Sequence, residues 1–270
     1  MLNLLRMDIR RLFRSKSLYI CLIIMCATTI FTFGFMFLMC SPAIMKMAIE
    51  NNWAIAIIYE DPSDMAAITG SDFLTLFHQT NISGGMLPLT TAILAALFVC
   101  VEFDGGFIKN IMASHENKWD YILSKVISFG LVNLLYLVVT IALDGLMNLA
   151  AGSLFTFNPL PDTLFYLFSV WMIVNAFCAL ILLIVMLSRS VAAGVAGSIF
   201  LCSGAVVMIV NSILGIFKAN GIMNYTLYMN LALCPMKYNG AGDLRALAVG
   251  AAFLVIYTVL SKLVLSRRDI

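Results

Sequence analysis

Apolar and polar positions fall in long blocks along this chain. Six apolar runs, about 18–40, 84–101, 126–150, 164–187, 191–217 and 246–265, each reach the 18 residues or more expected of a membrane-crossing helix. Residues 1–17 follow another pattern. Leu2, Leu5, Ile9, Leu12 and Phe13 share one helical face, while Arg6, Arg10, Arg11, Arg14 and Lys16 occupy much of the rest. That arrangement predicts an interfacial helix, with its apolar side in lipid and its basic side toward anionic headgroups. A signal peptide is the competing reading of this end. The run from Leu18 to Met39 is too long for its apolar core and lacks a small-x-small cleavage site, so it is expected to stay as the first span.

Three segments between the runs have characters of their own. Residues 41–80 set Glu50, Glu60, Asp61, Asp64 and Asp72 against Lys46, and Trp53, Ile55, Ile57 and Ile58 suggest a part lying on the membrane surface. Residues 218–245 contain Gly221, Pro235, Gly240 and Gly242 yet stay rich in Leu, Met and Tyr, which predicts short half-helices dipping into the outer leaflet. Residues 102–125 form a polar island. Shorter breaks come at Ser188–Ser190, a tight turn, and at 152–163, with Pro159 and Pro161. Pro88 falls near the start of the second run, where its missing donor costs least.

Composition supports the membrane reading: 62% of the 270 residues are hydrophobic and 11% charged, against about 25% charged in a soluble domain. The placement of the charges matters more than the net +2. If six spans alternate sides, one side holds Arg6, Arg10, Arg11, Arg14, Lys16, Lys109, Lys118, Lys125, Arg189, Lys262, Arg267 and Arg268; the other holds Lys46, Lys218, Lys237 and Arg245. The 12-to-4 bias predicts that both termini and the 102–125 island are cytoplasmic. Most of the seven cysteines sit in apolar runs as small hydrophobes; Cys40 and Cys234 fall near the outer face, where unpaired thiols are the expectation over a bridge.

Candidate chemistry inside the spans is sparse. Asn133, Asp144, Asn148, Asn175 and Asn211 are the polar residues, and interhelical hydrogen bonding is the expected role of the asparagines. Asp144 alone is ionisable and falls near the outer interface, which disfavours an ion-coupled transporter. No GxxxxGK[ST], HExxH or GxSxG occurs, so no catalytic site and no metal site is expected. His78 and His115 read as isolated surface residues, and Asn81-Ile-Ser83 and Asn224-Tyr-Thr226 match glycosylation sequons on the outer side. In the fifth run, Ala193/Gly197 and Gly194/Ser198 are small-xxx-small pairs that allow close helix approach, either in a dimer or within one chain. Phe31, Phe33, Phe35 and Phe37 spread around the first span, most toward lipid.

The island carries the most specific pattern. Glu102 ends an apolar run, Gly105-Gly106 permits a sharp turn, and Phe107, Ile108 and Ile111 lie at near-helical spacing beside Lys109 and Asn110. Glu102 is costly to desolvate there and is expected to be paired or solvated, with a basic residue of the island or of the N-terminal helix as the candidate partner. By itself this is either a gripping point for a partner or a solvated loop. The order Glu102, Gly105-Gly106, Lys109-Asn110, Lys118, Lys125 resembles the cytoplasmic loop of the type-2 ABC exporter permeases, with Gly106-Phe107 where Gly-Thr is usual and Lys118 where Arg is commoner.

The resemblance extends over residues 1–270 as a single six-span permease domain. It implies an all-α integral membrane fold with an N-terminal elbow helix, a cytoplasmic coupling helix between spans 2 and 3, and outer half-helices before span 6. It also implies two copies of a separate ATPase subunit that binds ATP and Mg, a second permease copy, identical or related, and contact with membrane lipid but no nucleic acid. The expected chain is a non-catalytic permease of a bacterial plasma membrane exporter, moving an amphipathic or apolar molecule such as an antimicrobial peptide or antibiotic, or protecting the cell against it. A secondary transporter or channel, an intramembrane enzyme, and a non-transporting sensor or scaffold are the alternatives.

Overall fold

The computed structural model describes residues 2–39, 47, 50, 72–108, 117–216 and 220–267. Its helices are α1 (Leu2–Arg14), α2 (Lys16–Met39), α3 (Phe73–Phe77), a π-helical turn (His78–Ser83), α4 (Met86–Asp104), α5 (Lys118–Ala150), α6 (Leu160–Ser188), α7 (Val191–Cys202), α8 (Ala205–Ile216), a 3-10 turn (Asn220–Tyr225), α9 (Leu227–Ala232), a 3-10 turn (Ala241–Asp243) and α10 (Leu244–Arg267). Among the described residues there is no strand, only one isolated bridge between Asp72 and Thr156. Among the described residues, five helices are long and apolar enough to cross a membrane, or six if the bent pair α7 and α8 counts as one span. The chain is a helical membrane protein.

α4 and α6 form the centre of the bundle, with Leu87, Val99, Ile173, Val174, Ile181 and Val185 fully enclosed. α10 packs most extensively on α6. Gly250 explains that approach: a Cβ there would stand 3.2 Å from the Ile173 backbone nitrogen, so the missing side chain admits the neighbouring helix. α2 and α10 expose broad apolar faces, including Ile20, Ile23, Phe31, Val255 and Ile256, as lipid-facing helices do.

Several boundaries differ from those the apolar runs suggest. α5 begins at Lys118, capped by the Asn117 side chain accepting from the Trp119 amide at 3.1 Å, so Lys118 to Lys125 are helical. The fifth run is broken at Ser203-Gly204, and its halves meet at 60°. Gly204 (φ 76°) lies under the Tyr228 ring, where no Cβ fits, so the bend and the short helix α9 brace each other. The half-helices exist: the Asn220–Tyr225 turn and α9 bury Met223, Leu227 and Leu231. Of the acidic segment after α2, residues 40–46 (with Cys40), 48–49 and 51–71 lie outside the described residues.

Candidate functional site

Three elements converge at one end of the bundle. α1 has a third face that its two-sided pattern hides: Leu4, Asp8 and Leu12, spaced by four, are buried against α5. On α5, Tyr121, Ser124 and Lys125 share the opposing face, and α4 brings Glu102 in its last turn. Lys125 Nζ donates to Asp8 Oδ1 at 2.7 Å and also to Glu102 Oε1. Arg11 Nη1 donates to the same Glu102 oxygen, Tyr121 O–H to Glu102 Oε2 at 2.6 Å, and Ser124 O–H to Asp8 Oδ2 at 2.6 Å. Asp8, Glu102 and Lys125 are completely buried.

Two carboxylates and two cations therefore share a site of zero formal charge, and every carboxylate oxygen has a donor. Aromatic faces complete it. Lys125 lies 4.8 Å from the Phe98 ring centre and 4.9 Å from that of Tyr121, and Arg11 bridges Phe98 at 5.2 Å and Phe107 at 4.8 Å. Glu102 finds both expected kinds of partner, Lys125 from the island and Arg11 from the N-terminal helix. Lys125 therefore points inward, and its ammonium group is not offered to a partner or to lipid. A single acid in a basic, amphipathic helix looks like a solvated residue, and the signal in the sequence that Asp8 is buried is its spacing of four from Leu4 and Leu12.

The cluster supports the turn that follows α4. Gly105 and Gly106 amides return to Val101 and Phe103 carbonyls at 3.1 Å each, and Gly106 adopts φ 64°, the left-handed conformation that ends helices. Phe107 stays 37% exposed, whereas Ile108 is buried at 2%. The turn thus offers one aromatic outward and one aliphatic inward, so Ile108 belongs to the core and not to a docking face. Lys109, Asn110, Ile111 and His115 lie outside the described residues. Lys118 reaches the Ser266 carbonyl at 3.5 Å, joining the start of α5 to the end of α10.

The small residues of α7 meet this same chain. Gly194 and Ser198 are buried, with Gly194 facing Ala96 of α4 and Val185 of α6; Gly197 faces Ile184 of α6, and Ala193 is half-buried.

A second polar group sits at the other end of α5. Asp144, fully buried, accepts from Asn81 Nδ2 at 2.7 Å and contacts Thr80 Oγ1 at 3.0 Å, while Thr29 donates to Asn81 Oδ1 at 2.8 Å. Asn81 is 1% exposed, which removes its sequon from consideration as a glycosylation acceptor. Asn133 and Asn175 pair between α5 and α6 at 2.6 Å as expected, but Asn148 instead holds the Phe155 backbone through both side-chain atoms.

His78 is likewise not a surface residue. Its Nε2 faces the Ala232 carbonyl at 3.1 Å and must carry the proton, so Nδ1 accepts from the Tyr166 hydroxyl at 2.8 Å. Burial lowers its pKa below the ordinary value of about 6.5, outweighing the bond to Ala232. The unfolded chain then binds more protons than the folded one below that value, so this contribution to stability is lost as pH falls through about 6.5 toward the folded pKa. The unfolding temperature of the purified chain is expected to drop between pH 7.5 and 5.5, and less steeply in His78→Gln. Parallel pH profiles for the two proteins would contradict this.

Among the described residues, no three His, Cys, Asp or Glu side chains are placed to hold a metal ion. No protein-family model matches the chain, and no curated protein matches it either.

Proposed function

We propose that this chain is the membrane subunit of an ATP-driven exporter, with a separate ATPase docking at the turn after α4. The observation that carries this reading is the buried cluster of Asp8, Arg11, Glu102 and Lys125 directly behind an outward aromatic, Phe107. A push on Phe107 is passed through Arg11 and Glu102 to α1, α4 and α5 together, which is what mechanical coupling requires. The concentration of basic residues at this end favours a cytoplasmic orientation. The cargo is an amphipathic or apolar compound, because the spanning helices offer few charged groups.

Phe107→Ala removes one exposed ring and its contact with Arg11, while every ion pair and hydrogen bond of the buried cluster keeps its partners. Loss of an anchoring aromatic can cost about 2 kcal/mol or more, so ATPase association is expected to weaken at least tenfold in co-purification. ATP-dependent uptake of a membrane-active peptide into inside-out vesicles should fall with it. Wild-type association and uptake by Phe107→Ala would overturn the docking site. Stimulation of ATP turnover only by a hydrophilic sugar would overturn the cargo class.

A further inference from the structure

A groove of about 590 Å³ opens between α1 and the last turns of α4. One wall is apolar: Val101, 60% exposed, and the half-buried Leu97 form its surface, with Leu94 and Phe98 buried behind them. The other is lined by Arg6, Arg10 and Arg14, which stand four residues apart on one face of α1 and are all exposed. Among the described residues these three arginines form no ion pair, whereas Arg11, also on the groove, is committed to Glu102.

Three uncompensated guanidinium groups beside an apolar wall select a particular chemistry. A free phosphate would use only the arginines, and an uncharged hydrocarbon only the wall. A molecule with a phosphate at one end and a hydrocarbon chain at the other uses both. From Leu97 to Val101 the accessible wall rises about 6 Å along the helix axis, enough to hold the first few methylenes of an acyl chain. Guanidinium groups bind phosphate oxygens in pairs of parallel hydrogen bonds, so the headgroup is fixed as well as attracted.

We propose that this groove is a binding site for one anionic phospholipid, its phosphate held by Arg6, Arg10 and Arg14 and the start of one acyl chain lying on Leu97 and Val101. The inference goes beyond the exporter reading and does not depend on an ATPase. It also differs from general attraction to a charged bilayer, because it assigns one lipid to one groove. The bound lipid clamps α1 to α4 beside the Arg11–Glu102 contact and stabilises the fold by binding only the native state.

The test uses the full chain, purified and delipidated in a neutral detergent. Phosphatidylglycerol, phosphatidylcholine and glycerol 3-phosphate are titrated separately, with retained lipid read by native mass spectrometry and stability by unfolding temperature. One phosphatidylglycerol per chain is expected, with a rise in unfolding temperature, binding at least tenfold tighter than phosphatidylcholine, and no shift with glycerol 3-phosphate. The Arg6→Gln/Arg10→Gln/Arg14→Gln variant should lose at least tenfold in phosphatidylglycerol affinity while its lipid-free unfolding temperature is unchanged. Arg10→Gln alone should lose about threefold, which keeps the test intact if the triple variant inserts poorly. Equal binding of phosphatidylcholine, an equal response to glycerol 3-phosphate, or wild-type lipid affinity in Arg10→Gln would each overturn the proposal.

Discussion

Lys125→Met should be among the most destabilising single substitutions in this protein. The ammonium contacts Asp8 and Glu102, and all three side chains are fully buried. Methionine fills similar volume but leaves two carboxylates with only Arg11 in opposition, a net charge of −1 in a desolvated site. Breaking a buried ion pair from one side costs about 3–5 kcal/mol, because the remaining charge is uncompensated. The expected result is a large fall in unfolding temperature in detergent and poor recovery of folded protein. Asp8→Asn/Lys125→Met restores neutrality with Glu102 and Arg11 still paired, so the double variant should be more stable than Lys125→Met alone. That non-additivity is the signature of a coupled site. Wild-type stability in Lys125→Met would show that the group is solvated and that the cluster does not hold the three helices together.

Gly194→Leu should be nearly as damaging, and inside a single chain. A Cβ at Gly194 would stand 2.8 Å from both the Ala96 Cβ and the Val185 Cγ2 atoms, closer than packed carbons tolerate. Leucine adds three further carbons, so α7 must shift away from α4 and α6 at a cost of about 3 kcal/mol. At Gly197 the nearest atom is the Ile184 Cδ1 at 3.3 Å, the mobile end of a side chain, and Gly197→Leu should cost less. Unfolding temperature, with molecular mass measured by light scattering, separates the two possible roles of this helix face. Lower stability at unchanged mass is expected. Unchanged stability with a changed oligomeric state would assign the small residues to contact between chains.

Both predictions rest on parts of the sequence that were only half legible. The block pattern determined that the chain is helical and membrane-embedded, because helices satisfy every backbone hydrogen bond within one segment and apolar length alone reports them. It also placed the turn at Gly105-Gly106, since a glycine pair at the end of an apolar run is a strong local signature and Gly106 adopts the left-handed backbone that glycine favours. Glu102 could be singled out as needing a partner because a carboxylate at the end of an apolar span is conspicuous. Its two partners were visible only as classes.

What the tertiary structure decided is which polar residues leave the solvent. Asp8 and Lys125 sit among many charges in their own segments, and being charged does not set them apart from Arg10 or Lys118. They are buried because α1 lies against α5, and the sequence encodes that contact only through a spacing of four shared with Leu4 and Leu12. His78 and Asn81 likewise look like loop residues, yet the π-helical turn folds them inward onto Tyr166 and Asp144. Ile108 and Phe107 are adjacent and similarly apolar, and only the direction of the chain after Gly106 sends one into the core and the other out. Hydrophobic periodicity reports a residue's average environment along one helix. The pairing of charges depends on which helices meet, and that is settled by packing across the whole bundle.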